Sequence, residues 1–320
     1  MEQTLVTVGV VTYNSGKFIL ETLDSVYHQT YKNIQLIISD DNSSDNTVEK
    51  IREWVDIHKG RFQSVHLVTS DVNTGTSGNG NRAIFRANGE WYKSLDGDDI
   101  LTPTAIQDYM NFVNSHKGVD FVFGRIAIFR NDFDKNKLEY HEPAFYNYLY
   151  RENVTAKQQF NVLTKHFAAS GSSGFYRLNV LKDKMGGYDE RFPLMEDYPL
   201  LIKLTKKGHR LWLLDKVTLY YRISLNSITN SMDDNRQILS NSDIRQLIDY
   251  KYEYLKEHYG FWWRLFLGYT CFMKRQILLY GNSKRNVACK IINIILYFTN
   301  PYAWHGRVLK VYYRLLNYSV

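Results

Sequence analysis

Apolar residues are grouped along the first 125 residues in a pattern that predicts alternating strands and helices. Near-continuous apolar runs ending in turn residues are typical of strands buried on both faces. Such runs stand at residues 4–14, 34–41, 64–70, 92–96 and 119–129. Between them, apolar residues recur at helical spacing, as at Val48, Ile51 and Val55. The alternation predicts an α/β fold, Rossmann-like, with a mostly parallel sheet flanked by helices on both faces.

Acidic residues follow two of these predicted strands, at the point where each strand ends. Asp40 and Asp41 close the second run, and Asp96 closes the fourth. In parallel sheets, ligands bind outside the carboxyl ends of the strands, so we expect the two acidic loops to meet in one crevice. Residues 126–230 have a less regular pattern, and we expect them to supply the far wall of that crevice within the same domain.

The stretch LDGDD places three like charges, Asp96, Asp98 and Asp99, within four positions. Carboxylates this close raise one another's pKa unless a cation or hydrogen-bond donors offset the repulsion. One interpretation is a solvated acidic turn before the helix that Thr102 and Pro103 are predicted to start. Three carboxylates exceed what a helix start needs, so we favour a divalent cation that also carries a diphosphate.

Two other polar stretches allow more than one interpretation. The segment SDDNSSDNT at 39–47 forms a capped turn between strand and helix, yet Asp41 at a strand end is also placed to accept hydrogen bonds from a uracil imide or a ribose. The segment NTGTSGNGN at 73–81 matches neither glycine motif for phosphate. Its glycines either let the backbone pass close to a ligand or form a turn.

Charge separates the last 70 residues from the rest of the chain. The net charge is +7, but residues 251–320 hold eleven Lys or Arg against Glu253 and Glu257. The chain is also rich in aromatic residues, with 25 Tyr, 17 Phe and 6 Trp, which often mark binding surfaces and membrane interfaces. We therefore divide the chain at residue 230, with a helical, basic and aromatic tail at 231–320.

Within the tail, one helix face is predicted to be apolar and the opposite face basic. The apolar face comprises Trp262, Leu265, Phe266, Tyr269, Met273, Ile277 and Tyr280. Such a face either packs on the rest of the protein or lies on anionic lipid headgroups, and the absence of acids after residue 258 favours lipid. The longest uncharged run, 291–306, contains Asn300-Pro301 and is too short to favour a membrane-spanning helix.

The cysteines and the amino terminus predict where the protein works. Cys271 and Cys289 stand apart, without metal-ligand spacing, and are interpreted as reduced thiols. Residues 1–11 lack the basic and long apolar regions of a secretory signal. We expect a cytoplasmic protein that is peripheral at the inner face of the cell membrane. The basic tail is accompanied by no nucleic-acid-reading module, so no nucleic-acid partner is expected.

Several segments together resemble one enzyme family. They include VVTYNSGKFILETLDSVYHQ, DDNSSDNT, NGEWYKSLDGDD, GGYDERF, MEDYPLLIKL and YYRISLNSIT. In this order, across residues 4–230, they are similar to family 2 glycosyltransferases with the GT-A fold. The resemblance implies transfer of a sugar from a nucleotide diphosphate donor, with inversion, to a saccharide or lipid-linked acceptor. It implies a nucleotide-sugar half at 1–125, an acceptor half at 126–230 and a need for Mn²⁺ or Mg²⁺.

The resemblance also implies nucleotide contacts at three positions. Tyr13 and Asp41 match nucleoside-binding residues, Val11 would line the base, and the donor is expected to be a UDP-sugar. The signature QxxRW of processive members is absent, which predicts addition of one sugar or few, in the synthesis of a cell-surface polysaccharide.

Site residues of the chemical step follow from the same resemblance. Asp96 and Asp98 match the two acids of the family's DxD motif, with Asp98 as the direct metal ligand and Asp99 as a further ligand or a residue that holds the loop. Asp197 matches the general base, which inversion requires on the face opposite the leaving group. Arg222 is expected to meet phosphate.

Two departures from the family pattern change these expectations. Arg82 lies one place later than the basic residue of many members, which puts a basic contact there in doubt. Ser224 replaces a frequent histidine. Two alternatives also stay open: a nucleotidyltransferase that makes a sugar nucleotide, and an inactive membrane-surface binding protein on the same fold.

Overall fold

The computed structural model describes residues 3–141, 149–166, 171–223, 250, 255–280 and 286–317. The chain divides into two compact units, which we call the sheet unit and the tail unit. The sheet unit comprises Met1–Phe160 and Ala168–Ile223, and the tail unit comprises Asn161–Phe167 and Ser224–Val320. The predicted boundary at residue 230 lies outside the described residues and stays a prediction.

The first apolar runs form four parallel strands at one side of the sheet. These are β1 (Val6–Thr12), β2 (Ile34–Asp40), β3 (Ser64–Thr69) and β4 (Trp91–Asp96), in the order β3-β2-β1-β4. Every residue of β1 and β2 is buried, as a strand covered on both faces requires. The helices between and after the strands are α1 (Ile19–Tyr27), α2 (Thr47–His58), α3 (Gly75–Arg86) and α4 (Ala105–Ser115).

The rest of the sheet unit is more regular than its sequence pattern predicts. It contains β5 (Ile100–Leu101), β6 (Phe121–Arg130), β7 (Glu139–His141), β8 (Gly174–Arg177), α6 (Asp197–Lys206) and β9 (Leu211–Ile223). Helix α5 (Ala156–Leu163) begins in the sheet unit, and its last three residues belong to the tail unit. These strands extend the sheet in the order β4-β8-β6-β9-β5, and β7 pairs with β6. β6 and β9 are parallel, whereas β8, β5 and β7 pair antiparallel. The predicted α/β fold with a mostly parallel sheet is confirmed.

A large apolar core lies between the sheet and helices α1, α2 and α4. An aromatic stack fixes one end of this core. The ring of Phe175 on β8 stacks on Trp91 and on Tyr109, with centroids 5.1 and 4.8 Å apart. The Tyr109 hydroxyl also donates to the Ser173 carbonyl, so the stack ties α4 to the turn that precedes β8.

The glycine-rich stretch at 73–81 is not the loop or turn that its composition predicts. From Gly75 onward it is helical and forms the first half of α3. Glycine is a poor helix former, but here packing decides. A Cβ at Gly80 would lie 2.7 Å from the ring of Tyr188, and one at Gly75, where φ is +77°, would lie 2.5 Å from the Pro193 carbonyl oxygen. The close approach predicted for these glycines is therefore to the protein's own backbone and rings.

Helix α4 begins two residues later than predicted. Thr104, not Thr102, precedes the helix, and its hydroxyl donates to Asp108. Pro103 lies before the helix and its carbonyl accepts from the Thr30 N–H. Thr102 instead donates its N–H to Thr218, which extends the β5–β9 pairing.

The tail unit consists of α7 (Phe261–Leu279), α8 (Val287–Thr299) and α9 (Pro301–Asn317) within the residues described. Ile277, Cys289 and Leu296 form a small buried cluster, against which Tyr269 and Met273 pack. The predicted apolar face of α7 is therefore divided: Ile277 packs against α8, whereas Trp262, Leu265 and Tyr280 are exposed. Helical spacing predicts an apolar face but does not distinguish which part a neighbouring helix covers. No described helix is long and apolar enough to cross a membrane.

Candidate active site

The carboxyl ends of β2, β1 and β4 lie at one edge of the sheet, as the sequence predicts. In the strand register, Val11 pairs with Asp96 and Thr12 with Asp40. The acidic loops that follow β2 and β4 are therefore next to the residues that follow β1. Val11 is buried in β1, whereas Tyr13 is 45% exposed just beyond it.

Residues 96–99 form a tight turn directly after β4. The Gly97 N–H donates to the Val11 carbonyl over 2.8 Å, and the Asp99 N–H donates to the Asp96 carbonyl over 3.1 Å. A Cβ at Gly97 would lie 2.9 Å from the Thr12 side chain, so glycine lets the turn sit against β1. Asp96 and Asp98 are half-buried, and Asp99 is buried.

Arg222 on β9 holds this turn from behind. Its backbone N–H donates to Asp99 Oδ1 over 2.8 Å, and its side-chain Nε donates to the Asp98 carbonyl over 2.7 Å. The guanidinium is fully buried, with the rings of Phe18 and Phe129 4.1 and 4.5 Å away. Nη2 donates to Glu21 over 2.6 Å, and Nη1 donates to the Asn131 carbonyl. These bonds orient the acidic turn. Because the guanidinium is buried, it exposes no N–H group for the phosphate contact that was predicted for Arg222.

Burial raises the pKa of each carboxyl in the turn, and acidic neighbours raise those of Asp96 and Asp99 further. For Asp96, burial is the largest cause, followed by Glu196 and Asp98, and the pKa rises to about 7. Burial also raises the pKa of Asp98, against the opposing effect of Arg222. The pKa of Asp99 is raised well above its usual range by burial and then by its two acidic neighbours. A positive charge in front of the turn would favour the ionised forms.

A second acidic pair, Glu196 and Asp197, lies at the start of α6. The Thr76 hydroxyl donates to Glu196 over 2.5 Å, and the Gly171 N–H donates to Asp197 Oδ2 over 2.9 Å. Burial and then Glu196 raise the pKa of Asp197 to about 8, and Asp96 adds to the effect. The structure thus brings together the predicted DxD turn and the predicted base, which are about 100 positions apart in the sequence.

The donor set suits a hard divalent cation that takes few protein ligands. All side chains at the turn offer carboxylate oxygens, and Asp99 Oδ2 is buried without a hydrogen-bond donor. Within the described residues, no group of three or more His, Cys, Asp or Glu is arranged as a preformed metal cage. Mg²⁺ commonly binds through one or two carboxylates together with substrate phosphates, and this turn fits that arrangement.

Asp41 differs from the other predicted residues because its hydrogen bonds are already made within the protein. Its carboxylate accepts from the Thr74 N–H (2.9 Å), the Thr74 hydroxyl (2.8 Å), the Gly75 N–H (2.8 Å) and Arg82 Nη2 (2.5 Å). Asp41 is 2% exposed. Its carboxylate therefore fixes the start of α3. Arg82 lies one place later than the basic residue of many family members, and in the structure its guanidinium binds Asp41.

Three residues near the site were not identified from the sequence. Glu21 pairs with Arg222, Gly171 contacts Asp197, and Lys93 is a fully buried lysine in β4. Lys93 carried a detectable signal, since a lysine within an otherwise buried strand needs a partner. Glu21 and Gly171 carried none, because their partners are far away in the sequence. Ser224 lies outside the described residues.

The family model described as Glycosyl transferase family 2 matches residues 7–183, more than half of the chain. The chain belongs to this family and is a glycosyltransferase. Among curated relatives, it is 27% identical over 249 residues to an Escherichia coli protein, the UDP-Glc:alpha-D-GlcNAc-diphosphoundecaprenol beta-1,3-glucosyltransferase WfaP. That match covers 77% of this chain and 88% of the relative.

Solved structures of low sequence identity share the fold. S. aureus TarS 1-349 in complex with UDP-GlcNAc matches with a TM-score of 0.58 and 21% identity, over 79% of this chain and 64% of that chain. This chain thus spans less than two thirds of TarS 1-349. The mannosyltransferase PcManGT from Pyrobaculum calidifontis, in complex with GDP-Man and Mn²⁺, matches with a TM-score of 0.52 and 17% identity, over 97% and 85% of the two chains. The GT-A fold is confirmed.

The hydrogen bonds of Asp41 generate a stability prediction. Asp41→Ala removes the acceptor of a mostly buried Arg82 and of two backbone N–H groups, so the free energy of unfolding should fall by about 3 kcal/mol. Urea unfolding measures the change. Asp56→Ala is the matched control, because it breaks an ion pair with Lys59 that is exposed on both sides, and it should change stability by about 0.5 kcal/mol or less. Equal losses in the two variants would contradict a buried structural role for Asp41.

Proposed function

We propose that this protein transfers a sugar from a UDP-sugar, with inversion, to a hydroxyl of a lipid-linked saccharide. The observation that carries the proposal is the convergence of Asp96, Asp98 and Asp99 with Glu196 and Asp197 at one end of the sheet. Membership of the glycosyltransferase family favours sugar transfer over nucleotidyl transfer. The product would belong to a cell-surface polysaccharide.

Asp98 is the proposed direct ligand of Mn²⁺ or Mg²⁺, and Asp99 Oδ2, which has no donor, is a second candidate. Asp96 would lie against the bound donor. A divalent cation there would take the negative charge that develops on the diphosphate leaving group. Arg222 contributes by holding the turn through Asp98 and Asp99 and not by meeting phosphate itself.

For the nucleoside, Tyr13 is the proposed stacking platform, since its ring is exposed beside the ends of β1 and β2. Val11, two residues earlier, is buried at the end of β1 and pairs with Asp96 in the sheet. Asp41 would act on the nucleoside by fixing the start of α3, because its carboxylate is already occupied. A uridine donor is supported by two similar proteins, one named for UDP-Glc and one solved with UDP-GlcNAc.

Asp197 is the proposed general base that takes the proton of the acceptor hydroxyl. Its Oδ2 accepts the Gly171 N–H, which fixes the orientation of the carboxylate. The raised pKa suits the role, since a base works best when its pKa is near the working pH. The similar Escherichia coli enzyme is named for a diphosphoundecaprenol-linked acceptor, which supports a lipid-linked acceptor here.

The tail would hold the enzyme at the cytoplasmic face of the membrane. Among the described residues, 16 of the exposed large apolar side chains lie in the tail unit and seven in the sheet unit. They recur at helical spacing, as Val287, Ile291, Ile294 and Phe298 on α8, and as Trp304, Val308 and Val311 on α9. Each Lys or Arg near an anionic surface adds about 1 kcal/mol to binding, and no acid follows residue 258 to oppose it.

The first test concerns donor and metal. Calorimetry should show UDP binding in the presence of Mn²⁺, much weaker binding with excess chelator, and weaker binding of GDP or CMP than of UDP. Asp98→Ala should abolish metal-dependent UDP binding and sugar transfer while circular dichroism stays unchanged. Full turnover in excess chelator would contradict metal dependence, and tighter binding of GDP would contradict the uridine donor.

The second test concerns the base. Asp197→Asn should lower kcat by about 10²-fold or more, with UDP binding little changed, because only proton transfer is lost. In the wild type, kcat/KM should rise with pH toward about 8 as Asp197 ionises. Glu196→Gln removes a neighbouring charge that raises this pKa and should move the rise to lower pH. A normal kcat in Asp197→Asn would assign the base elsewhere.

The third test concerns the membrane. The full chain should float with vesicles of phosphatidylglycerol and phosphatidylcholine, less so at high salt, and less with phosphatidylcholine alone. The triple variant Ile291→Ser, Ile294→Ser and Phe298→Ser should stay in solution. As a matched control, Ile57→Ser with Val72→Ser changes exposed apolar residues of the sheet unit and should float like the wild type. Flotation of the triple variant would contradict membrane docking by α8.

A further inference from the structure

Lys93 is a buried cation directly behind the acidic turn. It lies in β4, three positions before Asp96, and its side chain is fully buried. Its ammonium donates to the Ser172 carbonyl over 2.7 Å and to the carbonyl of its neighbour Ser94. Burial lowers the pKa of Lys93 to about 8, whereas Asp96 and Asp99 favour its charged form. Burial of an ammonium costs free energy unless its hydrogen bonds are made. Lys93 therefore depends on the Ser172 carbonyl as an acceptor.

Ser172 belongs to a turn, Gly171–Gly174, that several elements anchor. The Gly174 N–H donates to the Gly171 carbonyl over 2.7 Å and closes the turn. The Ser173 hydroxyl donates to the Gly124 carbonyl on β6, and the Ser173 carbonyl accepts from Tyr109 of the aromatic stack. The turn is thus tied to α4, β4 and β6, which belong to the rigid core of the sheet unit.

The first residue of this turn is in direct contact with Asp197. The Gly171 N–H donates to Asp197 Oδ2, and a Cβ on Gly171 would lie 2.1 Å from Oδ2 and 2.2 Å from Cγ of Asp197. No real side chain could occupy that space, so any residue other than glycine at 171 displaces the carboxylate. The position of Asp197 therefore depends on a glycine at 171 and on where Lys93 holds the turn.

We infer that the turn Gly171–Gly174 is a backbone bracket that orients the Asp197 carboxylate, with Lys93 and Gly171 as its positioning residues. The inference rests on the proposed function, since it assigns these residues to the orientation of the proposed base. Gly171 binds Oδ2 through its N–H and leaves no room for the carboxylate to move toward the turn. Lys93 fixes the distance between the bracket and the acidic turn, because one side chain joins β4, which carries Asp96, to Ser172.

Two variants test the bracket without removing Asp197. Gly171→Ala should lower kcat for sugar transfer by about 10²-fold, since a displacement of about 1 Å from a reactive geometry has effects of that size. Lys93→Met should lower kcat by about tenfold or more by the same cause. KM for the donor and the UDP affinity in Mn²⁺ should stay unchanged in Gly171→Ala, because this change does not touch the acidic turn. A normal kcat in both variants would overturn the inference.

Combination with Asp197→Asn separates positioning from a merely structural role. If Gly171 and Lys93 act through Asp197, then Gly171→Ala/Asp197→Asn and Lys93→Met/Asp197→Asn should be no slower than Asp197→Asn alone. Additive losses would overturn the inference. Wild-type kcat in Asp197→Asn would instead overturn the proposed base, so the two failures are distinguishable.

A measurement that needs no turnover completes the test. Amide hydrogen exchange in the peptide that contains residues 171–174 should be faster in Lys93→Met than in the wild type. The matched control is Lys182→Met, because Lys182 also donates to backbone carbonyls, those of Phe85 and Ala87, away from the acidic turn. Gly60→Ala is the control for Gly171, since a Cβ there meets nothing within 4 Å. Both controls should keep wild-type exchange and kcat, and unchanged exchange in Lys93→Met would overturn the role of Lys93.

Discussion

Electrostatic repulsion among carboxylates at one edge of the sheet is the constraint on which the site depends. Asp96, Asp98 and Asp99 stand in one turn, with Glu196 and Asp197 beside them, and burial makes their repulsion stronger. Two buried cations, Arg222 and Lys93, offset it from behind. Both donate to backbone carbonyls, of Asp98 and of Ser172, and so hold the loops in place. The carboxylate oxygens of the turn that these cations do not hold are those proposed to meet a divalent cation and the substrate.

Helix α3 connects the two halves of the site. Its first turn is held on one side by Asp41, at the end of β2, and on the other side by the segment that precedes α6. Ser77 donates its N–H to Pro193, and Thr76 donates its hydroxyl to Glu196. The glycines of α3 permit these close contacts. The end of β2 and the acidic pair at the start of α6 are therefore connected through one helix by hydrogen bonds.

The repeating apolar runs and helical spacings predicted the first half of the sheet unit to within a few residues, because strands buried on both faces and amphipathic helices leave strong local patterns. The glycine-rich start of α3 was missed, since composition there opposes the helix and packing against Tyr188 and Pro193 overrides it. Strand β8 was missed because it is only four residues long, and β9 was missed because Asp215 and Lys216 interrupt its apolar residues. On α7, Ile277 was assigned to the apolar face that was expected to lie on lipid, although α8 covers it.

The sequence by itself determined the fold class, the family and the two acidic clusters, because these depend on local patterns and on residue types at fixed spacing. Tertiary structure decided what each side chain does. It engaged Asp41 and Arg222 with the protein's own backbone, joined Arg82 to Asp41, and set Gly171 and Lys93 around the candidate base. The two residues of each pair are at least 26 and at most 124 positions apart in the sequence. Hydrogen bonds across such distances arise only when packing brings strands and turns together, and no local pattern records them.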